Sequence, residues 1–301
     1  MYEEIARNKR RTVILIIGAL IVFAAAGYGL GLLLNGGIAG LVIAAVIAGL
    51  LSYGSYRYGD RIVLASTRAR EVTHEEEPRL HNIVEGLCLA AGIPKPRVYV
   101  IPERAPNAFA TGRDPDHSSI AVTQGLLEMM NRVELEGVIA HELSHIRDRD
   151  ILVGTVVATL VGAVVLVSEF MLRWFWWGGI GARRGDDRGG GAGSAIFFAI
   201  GIVLLILAPI AAQVIKFAVS RRREYLADAQ GAMLTRYPPG LAEALRKIAA
   251  TQTPMRSANN ATAHLWLSQP SRVPGERIGW LERLFSTHPP IQDRIRILEE
   301  M

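Results

Sequence analysis

Two histidines and a glutamate in one short segment have the types and the spacing that metal-dependent hydrolysis needs. His141 and His145 stand four residues apart, and side chains with that spacing share one face of an α-helix. Two neutral imidazoles on one face can bind a single zinc ion, and the carboxylate of Glu142 between them can act as a general base. The segment therefore predicts a metal centre with hydrolytic chemistry.

A catalytic zinc site of this type also needs a third protein ligand and an open position for water. Glu224 lies a few residues after the last long apolar run, and His145 lies about as far before the preceding run. If those two runs form an antiparallel membrane hairpin, Glu224 is brought close to both histidines. We therefore expect one Zn²⁺ per chain, bound by His141, His145 and Glu224.

Two more carboxylates have expected roles around this metal. Asp228 lies one helical turn after Glu224, where it can accept the outer N–H of a ligating histidine, by preference His141. Glu142 points about 100° away from the histidines around the helix, so we expect it to activate the attacking water and to protonate the leaving amine. The alternative is an amphipathic helix on which His141, Glu142 and His145 are merely solvated.

Apolar residues are concentrated in four long runs. Hydrophobic residues make up 50% of the 301-residue chain and charged residues 20%, which is too apolar for an ordinary soluble domain. We interpret the runs as four transmembrane helices, at residues 13–34, 38–56, 151–168 and 194–215. A cleaved signal peptide is the alternative for the first run, but the run is longer than the apolar core of such a signal.

The distribution of basic residues predicts the orientation in the membrane. The net charge is +5, and arginine and lysine cluster before the first run, after the second and after the fourth. Positive charge favours the cytoplasmic side, so we expect a multi-pass protein of the cytoplasmic (inner) membrane with both termini and the metal site in the cytoplasm. The charge then indicates contact with anionic membrane lipids. The chain shows no basic and aromatic pattern typical of nucleic-acid binding.

The segments outside the four runs predict a mostly α fold with a small antiparallel β-sheet. Helical periodicity covers residues 80–91 and resumes at about Val133. Three short segments with apolar or alternating residues predict strands, at 97–101, 107–111 and 119–123. The expected fold class is therefore four transmembrane helices plus a cytosolic zincin-like metalloprotease domain. Cys88, the one cysteine, is expected to be a buried, apolar side chain.

The chain divides into four parts on this interpretation. Residues 1–58 form an N-terminal transmembrane hairpin, and residues 59–150 form a catalytic half with the small sheet and the histidine helix. Residues 151–220 form a second transmembrane hairpin with a glycine-rich outer loop. Residues 221–301 form the other catalytic half, which carries Glu224. About ninety residues alone make only a marginal core, so we expect the two halves to fold together.

At this point the chain resembles the HtpX family of membrane zinc metalloproteases, which are related to the CAAX prenyl proteases. The resemblance is carried by four motifs in family order, at residues 107–112, 141–145, 223–228 and 286–290, together with Arg294. It implies cleavage of peptide bonds in misfolded or damaged membrane proteins during quality control. Protein or peptide substrates and membrane quality-control partners are implied with it.

The resemblance also implies roles that the residues alone do not rank. One segment resembles an edge strand that holds an extended substrate by backbone hydrogen bonds: Asn107, Ala108, Phe109 and Ala110. His288 resembles a residue that stabilises the oxyanion or orients the substrate, and Arg294 resembles one that pairs with Asp228. Without the resemblance, the first segment is an ordinary strand and His288, before two prolines, is a helix-cap residue.

Two competing functions remain open at this stage. A prenyl-peptide (CAAX-type) processing protease would share the metal chemistry, but a body of four spans leaves little room for a large intramembrane chamber. A membrane adaptor or transporter subunit would carry the metal motif in a catalytically inert form. The apolar runs lack the buried charge pairs that mark a substrate path through a membrane, which makes the adaptor reading less favourable than an enzyme.

Overall fold

Helices dominate the described part of the chain, and one small sheet lies between them. The computed structural model describes residues 2–33, 38–163, 221–251, 253–255, 262–268 and 289–301. The helices described are α1 (Tyr2–Leu33), α2 (Ile38–Ser66), α3 (Pro78–Ala91), α4 (Gln124–Met129), α5 (Arg132–Arg147), α6 (Asp150–Ala163), α7 (Arg221–Thr235), α8 (Pro238–Ala250) and α9 (Ile291–Glu299). The strands described are β1 (Arg70–Glu71), β2 (Arg97–Ile101), β3 (Ala108–Asp114) and β4 (His117–Thr123).

The sheet is mixed, so the prediction of an antiparallel sheet is wrong in one of its pairings. The strand order is β1-β2-β4-β3. β1 pairs with β2 and β3 pairs with β4 in antiparallel fashion, but β2 and β4 run parallel, with Val98 beside Ile120. The chain passes across the sheet after β2 and forms the outer strand β3 first. The β3–β4 hairpin then returns β4 to the gap beside β2, and β3 becomes an edge strand.

A reciprocal cap fixes the start of α5, the helix that carries the two histidines. The Asn131 side chain accepts a hydrogen bond from the Glu134 amide at 3.0 Å, and the Glu134 carboxylate accepts one from the Asn131 amide at 2.9 Å. Lys247 on α8 donates a further hydrogen bond to Glu134 at 2.7 Å. Such a capping box satisfies two amides that a helix start otherwise leaves unpaired, so α5 begins at a well-defined residue.

The C-terminal helices pack around α5 and complete its core. Leu135, Val138 and Ile139 of α5 are fully buried, in one cluster with Leu241 of α8 and Ile295 of α9. Gly137 allows α8 to approach closely, because a β-carbon there would lie 2.7 Å from the Leu241 backbone nitrogen. Residues far apart in the sequence thus share one close-packed core, and α5 is held from several directions.

The helices at the apolar end of the molecule contact one another through small and branched side chains. Leu152, Val156 and Leu160 of α6 pack against Ile16 and Ala19 of α1. Where α6 passes α2, a β-carbon on Gly59 would lie 2.7 Å from the methyl group of Thr155. Small residues allow helix backbones to approach in this way, so the start of α6 is held against both N-terminal helices.

Large apolar side chains remain exposed along α2, including Ile38, Ile43 and Leu50. Within the described residues, α2 is the one helix that is both long and apolar enough to cross a membrane. It continues ten residues beyond the predicted run because Val63 and Leu64 pack into the core under the sheet. The first predicted run is described as far as Leu33, in α1, and the third begins in α6 and is described as far as Ala163. The fourth run lies outside the described residues.

Candidate metal centre

The two histidines lie one turn apart on the same face of α5. Their Nε2 atoms are 3.1 Å apart, and the ring planes are almost perpendicular at 83°. The His141 side chain is fully buried, whereas that of His145 is 15% exposed. The alternative of an ordinary amphipathic helix requires both rings to be solvated surface groups, and neither ring is.

Glu224 on α7 faces both imidazoles across a short gap. Its carboxylate oxygens lie 3.8 Å from the Nε2 atom of His141 and 3.8 Å from that of His145. One ligand atom from each of the three residues lies within 4.8 Å of the others. The structure therefore brings together the three residues that the sequence indicates as metal ligands, although Glu224 and His145 are 79 positions apart in the sequence.

This donor set fits a zinc ion. Zinc–nitrogen bonds of about 2.0–2.1 Å in a tetrahedron place two ligand nitrogens roughly 3.4 Å apart, and the observed separation of the Nε2 atoms is 3.1 Å. Two imidazoles with one carboxylate are a usual protein set for catalytic zinc, which leaves a fourth position for water. The geometry and the chemistry of the donors are thus both compatible with zinc.

A buried ion pair supports the outer side of His141. The Asp228 carboxylate lies 2.9 Å from Nδ1 of His141, and Arg294 donates two hydrogen bonds to Asp228 at 2.8 and 2.7 Å. Burial favours a neutral Asp228 carboxyl, but Arg294 and His141 outweigh that effect and lower its pKa to about 2. An ionised Asp228 fixes the His141 tautomer with the proton on Nδ1, so Nε2 faces Glu224 with its lone pair.

A second carboxylate, which the sequence reasoning missed, supports His145 in the same way. Asp150, the first residue of α6, lies 3.1 Å from Nδ1 of His145. Its other oxygen accepts hydrogen bonds from Arg223 at 3.2 Å and from Asn8 at 2.5 Å. The available signal was an acidic residue at the very start of an apolar run, five residues after a ligand.

Glu142 is almost completely buried beside the two histidines. It lines a cavity of about 50 Å³ together with Ala110, His145, Glu224 and His264. Burial raises the pKa of Glu142 to about 7, and a hydrogen bond from the backbone of Ala110 partly opposes that effect. A carboxyl with a pKa near neutrality can both accept and return a proton, which is the behaviour expected of a general base.

The carboxylates around the histidines favour a cation at this site. Burial lowers the pKa of His145, but hydrogen bonding to Asp150 and the charge of Glu224 raise it to about 9. At His141 burial has the larger effect, and its pKa is lowered. A metal ion must displace the proton that His145 holds. The negative charges of Asp150 and Glu224 that stabilise this proton also attract the metal ion that replaces it.

The segment expected to hold substrate coincides with the start of the edge strand β3. Ala110 lies beside Glu142, while Phe109 points into the core and packs edge-on against Trp266 at 4.8 Å. The outward carbonyl of Ala108 accepts a hydrogen bond from the Leu267 amide at 2.9 Å. Asn107 binds both backbone groups of Ser268, at 3.2 and 3.0 Å. Residues 266–268 thus cover the first part of this edge, which the sequence did not indicate.

One further expected residue, His288, lies outside the described residues, which resume at Pro289. Arg294, in contrast, is fully described and only 2% exposed. Besides Asp228, it donates a hydrogen bond to the Leu267 carbonyl at 2.8 Å. Arg294 therefore joins the support of His141 to the segment that covers β3, a connection that sequence spacing could not reveal.

Comparison with known proteins identifies relatives along the whole chain. The model of Peptidase family M48 matches residues 74–301. A protein described as a "Protease HtpX homolog" from Thermoanaerobacter pseudethanolicus is 48% identical over 301 residues, which cover 100% of this chain and 98% of that protein. Proteins with the same description from Lactobacillus acidophilus and Tropheryma whipplei are 45% identical over 305 residues and 44% identical over 303 residues. These alignments cover 100% of this chain, and 100% and 98% of the two relatives.

A solved structure is also similar. The crystal structure of S. mikatae Ste24p aligns with 99% of this chain and with 67% of its own chain. The TM-score is 0.46 and the sequence identity is 14%.

Proposed function

Because the chain belongs to Peptidase family M48 and is therefore a metalloprotease, we propose that it is an integral-membrane zinc endopeptidase. Its substrates are misfolded or damaged membrane proteins, cleaved at the cytoplasmic face. The observation that carries the proposal is the cluster of His141, His145 and Glu224, with ligand atoms within 4.8 Å of one another and Glu142 beside it. Two imidazoles and a carboxylate that can hold zinc, with a second carboxylate beside them, are the groups that metal-dependent peptide hydrolysis needs.

In this proposal His141, His145 and Glu224 hold the zinc ion. Bound there, zinc would supply a Lewis acid that polarises a carbonyl and lowers the pKa of water to about 7. Glu142 takes the proton of the attacking water, because its own pKa of about 7 leaves a large ionised fraction at neutral pH. The water oxygen forms the new bond to the carbonyl carbon, and the same carboxyl then returns the proton to the leaving amine as the C–N bond breaks.

The remaining site residues orient the substrate and the ligands. Asp228 and Arg294 keep His141 in one tautomer, as their short hydrogen bonds support. The edge strand from Asn107 to Ala110 holds an extended substrate by backbone pairing. Since the Ala108 carbonyl bonds to Leu267, pairing at Ala108 requires residues 266–268 to move, whereas Ala110 lies directly beside Glu142. His288 stabilises the oxyanion or orients the substrate.

The membrane assignment is supported by the exposed apolar surface of α2. We propose four spans, with the catalytic halves at residues 59–150 and 221–301 and both termini in the cytoplasm. His145 is five residues from Asp150, where α6 begins, so the metal lies close to the membrane surface. This position suits substrates that are themselves membrane proteins, and anionic lipids contact the basic segments.

The test is metal content and proteolysis of the full-length, detergent-purified protein, with reduced unfolded casein as the substrate. We expect one zinc per chain in the wild type and in Glu142→Gln, with casein cleavage lowered about 10²- to 10⁴-fold in the variant. Glu136→Gln makes the same change on the same helix, away from the site, and should keep full activity. Absence of zinc from the wild type, or full activity of Glu142→Gln, would refute the proposed function.

A further inference from the structure

Each candidate ligand histidine has its own carboxylate, and each carboxylate has its own arginine. His141 is supported by Asp228 and Arg294, as described above. His145 is supported by Asp150 at 3.1 Å, and Asp150 in turn by Arg223 at 3.2 Å. The resemblance to the HtpX family gave roles only to the pair behind His141. The pair behind His145 repeats the same order of contacts, although Arg223 makes one hydrogen bond to Asp150 where Arg294 makes two to Asp228.

Asp150 is suited to this role by its two separate oxygens. Oδ2 faces Nδ1 of His145, so this contact keeps a proton on Nδ1 and leaves Nε2, which faces Glu224, as the nitrogen that gives up its proton to bind a metal ion. Oδ1 faces away from the ring and accepts the hydrogen bonds of Arg223 and Asn8. With both oxygens bound and only 12% of the side chain exposed, the carboxylate has little freedom to rotate away from the imidazole.

Asn8 brings the N-terminal helix into contact with this arrangement. Its amide nitrogen donates to Asp150 Oδ1 at 2.5 Å and to the Asp148 carbonyl at 3.0 Å. Asn8 is only 1% exposed, although the neighbouring positions Lys9 and Arg10 are exposed. A buried amide nitrogen costs free energy unless its hydrogen bonds are made, and the Asn8 nitrogen makes both of its bonds to the turn between α5 and α6, whereas the Asn8 oxygen has no hydrogen-bond partner among the described residues. Asn8 therefore binds α1 to the first residue of the helix that follows the metal-binding segment.

We propose that Asp150 is a positioning residue for His145, and that Asn8 acts through Asp150 to couple α1 to the metal centre. The inference rests on the proposed function, since it assigns a purpose to residues around the same zinc site. Outer partners of metal ligands typically contribute about 10- to 100-fold in metal affinity. Asp150 contacts the ligand itself, whereas Asn8 contacts Asp150 and shares that carboxylate oxygen with Arg223. The effect of Asn8 on zinc affinity is therefore the smaller of the two.

The test measures zinc affinity by competition with a chelator, using the full-length protein in detergent. We expect Asp150→Ala to weaken zinc binding by about 10- to 100-fold and Asp150→Asn to recover part of that loss, because an amide oxygen still accepts the His145 proton. Asn8→Ala should weaken binding by less than Asp150→Ala. Asp116→Asn and Asn82→Ala make matched changes at exposed positions and should leave zinc affinity unchanged.

The double variant Asn8→Ala/Asp150→Ala distinguishes a coupled role from independent structural damage. If Asn8 acts through Asp150, the double variant binds zinc as weakly as Asp150→Ala and no more weakly. Additive losses would overturn the coupling, and normal zinc affinity in Asp150→Ala would overturn the positioning role. The absorption spectrum of the Co²⁺-substituted protein should also change in Asp150→Ala, because altered ligand geometry changes it even where the fold is intact.

Two further measurements show whether a negative result comes from a misfolded variant, from an incorrect proposed function or from an incorrect role for Asp150 and Asn8. Thermal unfolding of each variant, compared with wild type in excess chelator, shows whether the metal-free fold is intact. If Asp150→Ala does not fold, the zinc affinity of Asp150→Asn is the deciding measurement. The inference is overturned if both Asp150→Asn and Asn8→Ala bind zinc as tightly as the wild type. If the wild type binds no zinc, the proposed function has failed. If the wild type binds zinc and Glu142→Gln is inactive, only the inference is at stake.

Discussion

Gly231 on α7 faces the backbone nitrogen of His141 on α5 so closely that a β-carbon at position 231 would lie 3.0 Å from that nitrogen. Glu224 lies seven residues before Gly231, about two helical turns away on the same face of α7. The distance between the two helices at Gly231 therefore sets how near Glu224 comes to the histidines. A residue without a side chain at position 231 therefore lets the third ligand come close to the other two.

Replacing Gly231 with alanine should weaken the metal site. A methyl group at 3.0 Å from backbone atoms forces α7 to move by a few tenths of an ångström, because a helix backbone cannot rotate away as a side chain can. We expect zinc affinity to fall about tenfold, which is the lower end for residues that support metal ligands. Chelator competition on the purified protein measures this change directly.

Gly86→Ala on α3 is the matched control for that substitution. No other atom of the described residues lies within 4 Å of a β-carbon at Gly86, apart from its chain neighbours and its own helix backbone, and alanine raises helix propensity by about 1 kcal/mol over glycine. The control should therefore gain stability and keep the zinc affinity of the wild type. Equal zinc affinity in Gly231→Ala and Gly86→Ala would show that the contact at His141 does not control the position of Glu224.

Replacing Arg294 with methionine should destabilise the protein strongly. The substitution keeps most of the side-chain volume but leaves the buried Asp228 carboxylate without the guanidinium that holds it. Breaking a buried ion pair from one side costs about 3–5 kcal/mol, and we expect a loss of that order in the free energy of unfolding. Thermal or denaturant unfolding in detergent measures it.

Two further variants test whether the uncompensated charge is the cause. Arg296→Met changes a side chain that is 66% exposed on the same helix, and it should alter stability by no more than about 0.5 kcal/mol. Adding Asp228→Asn to Arg294→Met removes the buried charge and should restore part of the lost stability. A double variant less stable than Arg294→Met alone would contradict this explanation.

Local features of the sequence were enough to predict several elements and the face that the histidines share. The 3.6-residue repeat of a helix places His141 and His145 on one face wherever the helix packs. The helical periodicity of residues 80–91 likewise predicts α3, which ends before Gly92 in the left-handed conformation at a φ of 66°. These features depend on neighbours within a few residues, so sequence spacing contains them.

Other features depend on contacts that spacing does not contain. The alternation in β2, β3 and β4 indicates strands but not their order, so it could not show that β4 enters between β2 and β3. Asp150 and Asn8 are 142 positions apart, and nothing near Asn8 in the sequence distinguishes it from a solvated residue of a basic segment. The support of His145 therefore became visible only when α1, α5 and α6 were seen together.

Removing the metal should lower the thermal stability of the protein as well as its activity. A ligand that binds only the native state stabilises it by about 2.7 kcal/mol at a concentration 100 times its Kd. Dialysis against a chelator should therefore lower Tm and abolish casein cleavage, and added Zn²⁺ should restore both. Mg²⁺ should restore neither, since it prefers oxygen ligands over imidazole.

Histidine variants link this response to the proposed ligands. His145→Ala should show one low Tm, the same with and without added zinc. His74→Ala changes an exposed imidazole that bonds to Asn82, and it should keep the full increase in Tm on adding zinc. A zinc-dependent increase in Tm that survives in His145→Ala would mean that zinc stabilises the protein at another site.

The Cys88 thiol should react slowly with alkylating agents in the folded protein. Cys88 is 3% exposed on α3, and burial raises the pKa of its thiol to about 11. Since only the thiolate is nucleophilic, the folded protein at pH 8 offers very little of the reactive form and little access to it. Denaturant should increase the labelling rate with iodoacetamide by orders of magnitude.

The control is Leu89→Cys in a Cys88→Ala background, because Leu89 is 79% exposed at the next position and a thiol there should react at once. Equal labelling rates for the two native proteins would mean that α3 does not pack its Cys88 face into the core. The labelling rate of Cys88 thus measures the packing of the catalytic half independently of metal binding.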